Sequence, residues 1–390
     1  MNRHIILVLL ISASVITMMS TDLYVPSLAH LPELLGTSPE LVKLTVSLNL
    51  LAYGFATLIH GPLSERFGRK PVLFWGMVGF TLTSFLCATA ADVGQLLFAR
   101  VLQGIAAAVE GVVVLAVIRD LFTDREQVRA VAIYGIASAF APAFAPMLGG
   151  YIHVFFGWRM NFYLLTGLAL AVTLLITLFL KESTEKDFNA LNLKEIYADY
   201  FGLLSNKTFL IYSTIGGCSL GCIFVFITAG PFVLITNHGV ATEHFGYYQA
   251  ALVVAYVIGS LLAARMSRNH TARKILGTGV CFAACGSLLL LGIMVSGWET
   301  PATLTCAVAV LLFAEGPIFA VVPTLAMNAT DKRTGAAAAL LIAAEMAIGS
   351  LAALAVSWVH DGTALPMMTT MLVLVAIIIL AYISSANQPA

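Results

Sequence analysis

Four carboxylates and one arginine lie inside stretches that are otherwise apolar: Asp22, Glu110, Glu315, Glu345 and Arg100. A charge surrounded by hydrocarbon is expensive and marks a functional position by default. Desolvation favours the protonated acid, whereas a nearby arginine favours the carboxylate. An acid in such a setting can therefore load a proton and release it as its surroundings change. A carboxylate can also hold a cationic substrate by charge pairing. The structural alternative for each acid is burial against a hydroxyl or a helix end.

These residues are positioned by elements that the composition identifies. The chain has 390 residues, of which 60% are hydrophobic and 10% charged. Soluble domains carry about 25% charged residues, so too few remain to coat a surface in water, and mean hydropathy is +0.95. Apolar runs long enough to span a bilayer recur along the chain. We read twelve of them, at about 4–27, 41–62, 71–91, 95–118, 128–155, 159–181, 208–236, 244–266, 272–296, 301–326, 334–359 and 364–385. The expected fold is an all-α membrane protein. The first run continues past Ser20 with no small-residue cleavage site before Asp22, which favours a retained helix over a signal peptide. Zero net charge gives no reason to expect nucleic acid as a partner.

A polar stretch from Lys181 to Lys207 separates six spans from six. The expected organisation is a bundle at 1–181, a linker at 182–207 and a second bundle at 208–390. Within the linker, Leu193, Ile196, Tyr197, Tyr200, Phe201 and Leu204 recur at helical spacing, as in a helix lying on the membrane surface. With twelve spans, every Lys and Arg except Lys43, Arg100 and Arg159 falls on the side of the termini. The positive-inside rule makes that side cytoplasmic. Two six-helix halves joined by a cytoplasmic linker suggest an internal repeat, a common transporter plan.

Depth follows from 1.5 Å of rise per residue. Glu345 falls roughly 16 Å from the cytoplasmic end of its span and Glu315 roughly 20 Å from the outer end of its own, both near mid-depth. Glu110 lies deeper toward the cytoplasm than Arg100. Asp22, late in an ascending helix, and Arg100, early in a descending one, share the outer half and are placed where they can meet. Tyr24, Asn49, Tyr53, Tyr134, Phe144 and Phe226 supply a candidate cavity lining, with Glu315 and Glu345 as a second acidic site within it.

Two further stretches carry backbone rather than side-chain information. Gly61-Pro-Leu-Ser-Glu65-Arg66-Phe-Gly68-Arg69-Lys70 reads as a tight charged turn between two spans, with Gly61 and Gly68 permitting the bend. In the fifth span Pro142 and Pro146 each remove a helix hydrogen bond. Gly149 and Gly150 there leave room for a neighbouring helix.

The turn sequence resembles the loop signature of the major facilitator superfamily, with Glu65 where that loop usually has Asp. Arg100-x-x-Gln103-Gly104 resembles its fourth-helix signature. Ala141-Pro142 through Pro146-x-x-Gly149-Gly150 resembles the fifth-helix signature of its proton-driven antiporters, with Ala141 in place of a Gly. Asp22-Leu-Tyr24-x-Pro26, and Phe245-Gly246 to Arg273-Lys274, are similar to the Bcr/CflA drug-resistance branch and its MdfA-like members. The resemblance implies two pseudo-symmetric six-helix bundles and a proton-coupled antiporter that exports small amphipathic compounds by alternating access. It implies proton coupling through Asp22 and Arg100, and a gating loop at Gly61, Glu65, Arg66, Gly68 and Arg69. Glu110, Glu315 and Glu345 match no family pattern; Glu110 joins the expected proton-coupling residues by its depth in the span alone. Glu65 would latch onto the start of the eleventh span near Thr334-Gly335, where free N–H groups make a positive dipole end. The expected setting is the inner membrane of a bacterium, with both termini cytoplasmic. The expected partners are a small-molecule substrate, protons and lipid, with the protein acting as a monomer and no cofactor.

The competing readings are a proton-coupled importer of a nutrient or siderophore on the same fold, and a membrane-embedded enzyme. The enzyme would need clustered His, Asp or Ser near one interface, such as His-Glu-x-x-His, and none is present. The cysteines Cys87, Cys218, Cys222, Cys281, Cys285 and Cys306 lie in apolar runs with no histidine at ligand spacing, so packing is expected of them rather than a metal. His60, His153 and His360 fall near span boundaries, and Trp158-Arg159 reads as an interfacial anchor.

Overall fold

In the computed structural model the described residues are 3–184, 193–330, 334–359 and 361–385, with side chains at 3, 124–125, 193–197 and 334–335 also left aside. His360 and the linker residues Glu185, Lys186 and Asp187 lie outside them. The chain divides into two compact units, Met1–Leu193 and Lys194–Ala390. Among the described residues every regular element is helical. Twelve helices are long and apolar enough to cross a membrane, and they coincide with the twelve spans read from sequence.

The first unit runs α1 (Arg3–Asp22), a 3-10 turn at Val25–Ser27, the one-turn α2 (Leu31–Leu34), α3 (Pro39–Phe67), α4 (Arg69–Thr89), α5 (Val93–Leu121), α6 (Asp124–Phe156) and α7 (Trp158–Phe179). Several starts are written into the sequence as caps. Ser38 accepts from the Leu41 N–H with Pro39 at the first helical position, and Asp92 accepts from the Gln95 N–H. α5 is the central helix and packs on α3, α4 and α1, while α7 covers α4. Small residues set how close these helices come. A Cβ on Gly104 would fall on the Asn49 backbone of α3, and one on Gly149 would fall on the Leu23 backbone. The fifth-span glycine thus lets α6 cross the end of α1.

The charged turn differs from expectation. α3 continues through Gly61 and Pro62 to Phe67, and α4 begins at Arg69, so Gly68 is the only residue between two long helices. Gly68 has φ +100, a backbone conformation that other residues rarely adopt. Gly61 does not bend the chain, because an isolated glycine is tolerated inside a helix whose neighbours pack it.

The second unit comprises α8 (Leu193–Leu204), α9 (Lys207–Pro231) with a π-helical turn at Phe232–Asn237, a 3-10 turn at Thr242–His244, α10 (Phe245–Met266), α11 (Ala272–Ser296), α12 (Pro301–Asn328), α13 (Thr334–Trp358) and α14 (Leu365–Ser385). Thr300 and Thr303 form a capping box at the start of α12. α9 is the central helix, packed on α13, α14 and α12. In α12, Pro317 cannot donate to the Phe313 carbonyl. That carbonyl lies where a Cβ on Gly259 of α10 would stand, so a helix defect in α12 is met by a bare backbone in α10. In the linker helix Leu203 is buried while Phe201 and Leu204 stay exposed.

Two other expectations change. Trp158 is buried, edge-on to Phe162 at 6.1 Å, with Arg159 stacked 4.4 Å over its ring, so the indole is packed rather than exposed as an anchor. Cys87, Cys218 and Cys222 are buried, but Cys281, Cys285 and Cys306 are exposed and do not pack the interior.

Candidate functional site

Arg100 is fully buried and acts as a hub between helices. α1 ends by tightening, with the Tyr24 N–H donating to the Thr21 carbonyl at 3.3 Å. That leaves the Ser20 carbonyl without its usual helical donor. Arg100 Nη1 supplies one at 3.1 Å, placing a cation at the negative end of α1. Its Nε donates to the Thr45 carbonyl at 3.3 Å, Nη1 also to Gln103 Oε1 at 2.5 Å, and Nη2 to Thr21 Oγ1 at 3.4 Å. The rings of Tyr24 and Phe162 lie 5.3 and 5.9 Å from the guanidinium carbon. Gln103 passes the network on, donating to Ser84 Oγ of α4 at 2.8 Å.

The elements expected to meet, the end of α1 and the start of α5, do come together at Arg100. The guanidinium donates to the Ser20 carbonyl and the Thr21 hydroxyl at the end of the helix that carries Asp22, to the Thr45 carbonyl of α3 and to the Gln103 amide of α5. Arg100 reaches α1 at the carbonyl that the 3-10 turn frees. Asp22 is buried beside this junction.

Two residues expected to line a cavity belong to this hub. Tyr24 is wholly buried, with its hydroxyl 2.8 Å from Thr45 Oγ1. Asn49 donates to the Arg100 carbonyl at 2.7 Å and accepts from Thr21 Oγ1 at 3.3 Å. Both are internal joints of the unit, which removes them from a substrate surface.

Glu110 lies further along α5 and is fully buried. It faces Ser14 and Thr17 of α1, Tyr53 of α3 and Tyr134 of α6. Thr17 directs its proton to the Ala13 and Ser14 carbonyls. Both Glu110 oxygens, Ser14 Oγ and Ser138 Oγ have no hydrogen-bond partner. A buried acid among hydroxyls that leave it unsatisfied can take up a proton or a water. Tyr53 and Tyr134 are half-buried and Phe144 is exposed, so these three remain available to a ligand.

In the second unit Glu345 is nearly buried and lies against Gly216 of α9, with Oε1 unpartnered. Glu315 is fully buried, and both its oxygens lack a partner. Phe226 is buried and stacked on Phe245 at 6.2 Å, so it packs α9 on α10 and is not a lining residue.

At the Gly68 end of the first unit, Arg69 pairs with Asp120 at 3.3 Å and also donates to Ser64 Oγ. Glu182, beyond α7, accepts from the Arg69 backbone N–H at 2.8 Å and so caps α4. Lys70 donates to the Thr177 carbonyl at 3.1 Å. Glu182 was not singled out from sequence, because it caps from 113 positions away and no local pattern marks it. Glu65 is exposed and Arg66 rests 5.6 Å over Phe67. The side chains at Thr334-Gly335, where Glu65 was expected to latch, lie outside those described.

At the other end, His153 Nδ1 lies 3.0 Å from Ser27 Oγ and its ring stacks on His30 at 4.9 Å. Asn161 donates to Ser27 Oγ at 3.3 Å and to the Gly149 carbonyl at 3.4 Å, tying the glycine step of α6 to α7. His60 Nδ1 donates to the Ala56 carbonyl of its own helix at 2.8 Å. No cluster of metal-ligating side chains occurs among the described residues.

A sequence profile described as Major Facilitator Superfamily matches residues 10–354. A bicyclomycin resistance protein homolog of Haemophilus influenzae is 29% identical over 366 residues, covering 93% of this chain and 91% of that protein. The multidrug transporter MdfA of Escherichia coli O6:H1 is 26% identical over 343 residues, covering 85% and 81%. In solved structures, a D-xylose-proton symporter superposes with TM-score 0.75 at 16% identity over 99% of this chain and 98% of that one, a likeness of fold alone.

Proposed function

The chain belongs to the Major Facilitator Superfamily, a family of transporters and not of enzymes, and from that premise we propose that it exports small amphipathic compounds in exchange for protons by alternating access. The observation that carries proton coupling is Glu110, a buried acid with both oxygens unpartnered, on the same helix as the Arg100 hub. In this reading Arg100 fixes the end of α1 and keeps a positive charge near Asp22. Asp22 and Glu110 then exchange protons as water reaches them from alternate sides. Drug-like substrates are supported by relatives named for bicyclomycin resistance and multidrug transport. Tyr53, Tyr134, Phe144 and Glu345 are the residues proposed to meet the substrate. The Pro142, Pro146, Gly149 and Gly150 stretch of α6, locked onto the end of α1, resists proton leak.

The distribution of Lys and Arg supports an inner-membrane protein with cytoplasmic termini. The Arg69–Asp120–Glu182 cluster then stands on the cytoplasmic side, and Gly61 to Arg69 would govern opening there. The test is transport in proteoliposomes under an imposed pH gradient, against cationic, neutral and zwitterionic compounds. Substrate moving opposite to proton flow supports the proposal. Movement in the same direction assigns an importer, and flux indifferent to the gradient ends proton coupling.

A further inference from the structure

The two units share an internal pattern. Gly104 of α5 stands against the Asn49 backbone of α3, and Gly316 of α12 stands against the Gly259–Ser260 backbone of α10. Ala106 of α5 lies next to Gly79 of α4, and Ile318 of α12 next to Gly279 of α11. The same shift in numbering takes Gly104 to Gly316 and Ala106 to Ile318. It also takes Gln103 to Glu315 and Arg100 to Leu312. In the first unit Gln103 is held by Arg100 and Ser84. In the second unit an acid occupies the glutamine's place, and leucine replaces the arginine that would neutralise it.

Glu315 borders a small cavity lined by α9, α11, α12 and α14, with about 10 Å3 free for the centre of a water molecule. Ser219 and Cys222 of α9 line it on the polar side, and Ala283, Leu311 and Val375 line it on the apolar side. One water needs roughly 10–15 Å3 and two to four polar partners. The two Glu315 oxygens, Ser219 Oγ and Cys222 Sγ are such partners. The titratable groups that face Glu315 are the Cys222 thiol of α9 and Tyr256 of α10, and the residues of α11 and α14 that line the cavity are uncharged. A drug-sized substrate does not fit, so the expectation that Glu315 contacts substrate gives way. An ionised carboxylate with neither counter-ion nor donor is not stable in such a place. A neutral acid that shares one water with a serine is satisfied there and has the shape of the glutamine in the other unit.

We propose that Glu315, Ser219 and the small cavity between them form a binding site for one proton and one water inside the second unit, separate from the Arg100 hub and Glu110. The site stands whether the protein exports or imports. Its test is infrared absorption of the full-length protein reconstituted in lipid, read at the carbonyl stretch of protonated carboxylic acids. The wild type is expected to show a band that Glu315→Gln removes, that shifts in heavy water, and that shifts again in Ser219→Ala. Glu315→Asp keeps the acid but withdraws it by one methylene, so it should move the band; it serves if the glutamine variant does not fold. A spectrum unchanged by either substitution at Glu315 means the carboxylate is ionised and overturns the proposal. A band lost in Glu315→Gln but indifferent to Ser219→Ala overturns the water bridge. A wild-type band erased by sodium at constant pH shows that the ligand is a metal cation instead of a proton.

Discussion

The Gln103 amide oxygen accepts from Arg100 at 2.5 Å, so the guanidinium is held from its own helix as well as by α1 and α3. Four of its five N–H groups are engaged, and together they reach α1, α3 and its own helix α5.

Arg100→Lys is therefore expected to fail at most of these contacts, since an ammonium lacks the planar fork. Arg100→Ala should be worse, leaving buried acceptors such as the Ser20 carbonyl unsatisfied at about 1–3 kcal/mol each. Thermal unfolding in detergent and flux in proteoliposomes check this. A lysine variant with wild-type flux would show that the fork geometry is dispensable.

Asp22→Asn is expected to abolish pH-driven flux while substrate binding survives, because an amide cannot carry the proton. Glu110→Gln should also weaken the response to the pH gradient while changing stability little, since the amide has the shape of the protonated acid but carries no proton to exchange. Equilibrium binding beside gradient-driven flux separates the two effects. Wild-type driven flux in either variant removes that acid from proton handling.

Three glycines make a graded series. A Cβ at Gly149 would fall on the Leu23 backbone, so Gly149→Ala must move α6 off α1 and should cost more than about 2 kcal/mol. Gly157 has φ +82 and ψ 163 with open space around it, so alanine there should cost about 1–3 kcal/mol of backbone strain. Gly167 lies inside α7 with nothing nearby, and alanine should stabilise by about 0.4–1 kcal/mol. The order of the three melting temperatures is the readout, and any inversion contradicts the packing described for α6.

Glu182→Gln should loosen the start of α4 by about 0.3–1 kcal/mol, because a neutral amide answers the helix dipole less strongly. Glu65→Gln should leave the melting temperature unchanged, since Glu65 is exposed. Altered flux in the Glu65 variant at constant stability would support a gating role. Unaltered flux would leave it as a topology residue.

The positions of all twelve spans were legible because each is an uninterrupted apolar run long enough to cross a bilayer, a signal that needs no knowledge of packing. The hub around Arg100 was legible only as a buried charge. Its partners on α1 and α3 are backbone carbonyls and a hydroxyl, which every helix possesses, so no spacing marks them. Tyr24 and Phe226 were placed on a cavity because an aromatic residue in a span can face lipid, ligand or core, and only packing decides which. The sequence suggests a bend at Gly61 because glycine permits one; permission is not requirement, and of the two glycines in the turn Gly68 alone has the backbone angle that demands glycine. Glu315 was found by its depth, but its correspondence to Gln103 emerges from the glycine contacts of both units.

The single residue between α3 and α4 has a mechanical consequence. A helix of 29 residues and one of 21 meet with no slack beyond Gly68. With so short a link, the end of α3 and the start of α4 stay neighbours however the two helices tilt. Because α5 packs on both, the Arg69–Asp120–Glu182 cluster and the Arg100 hub are two levels of one packed body of helices, and a tilt of that body would displace both.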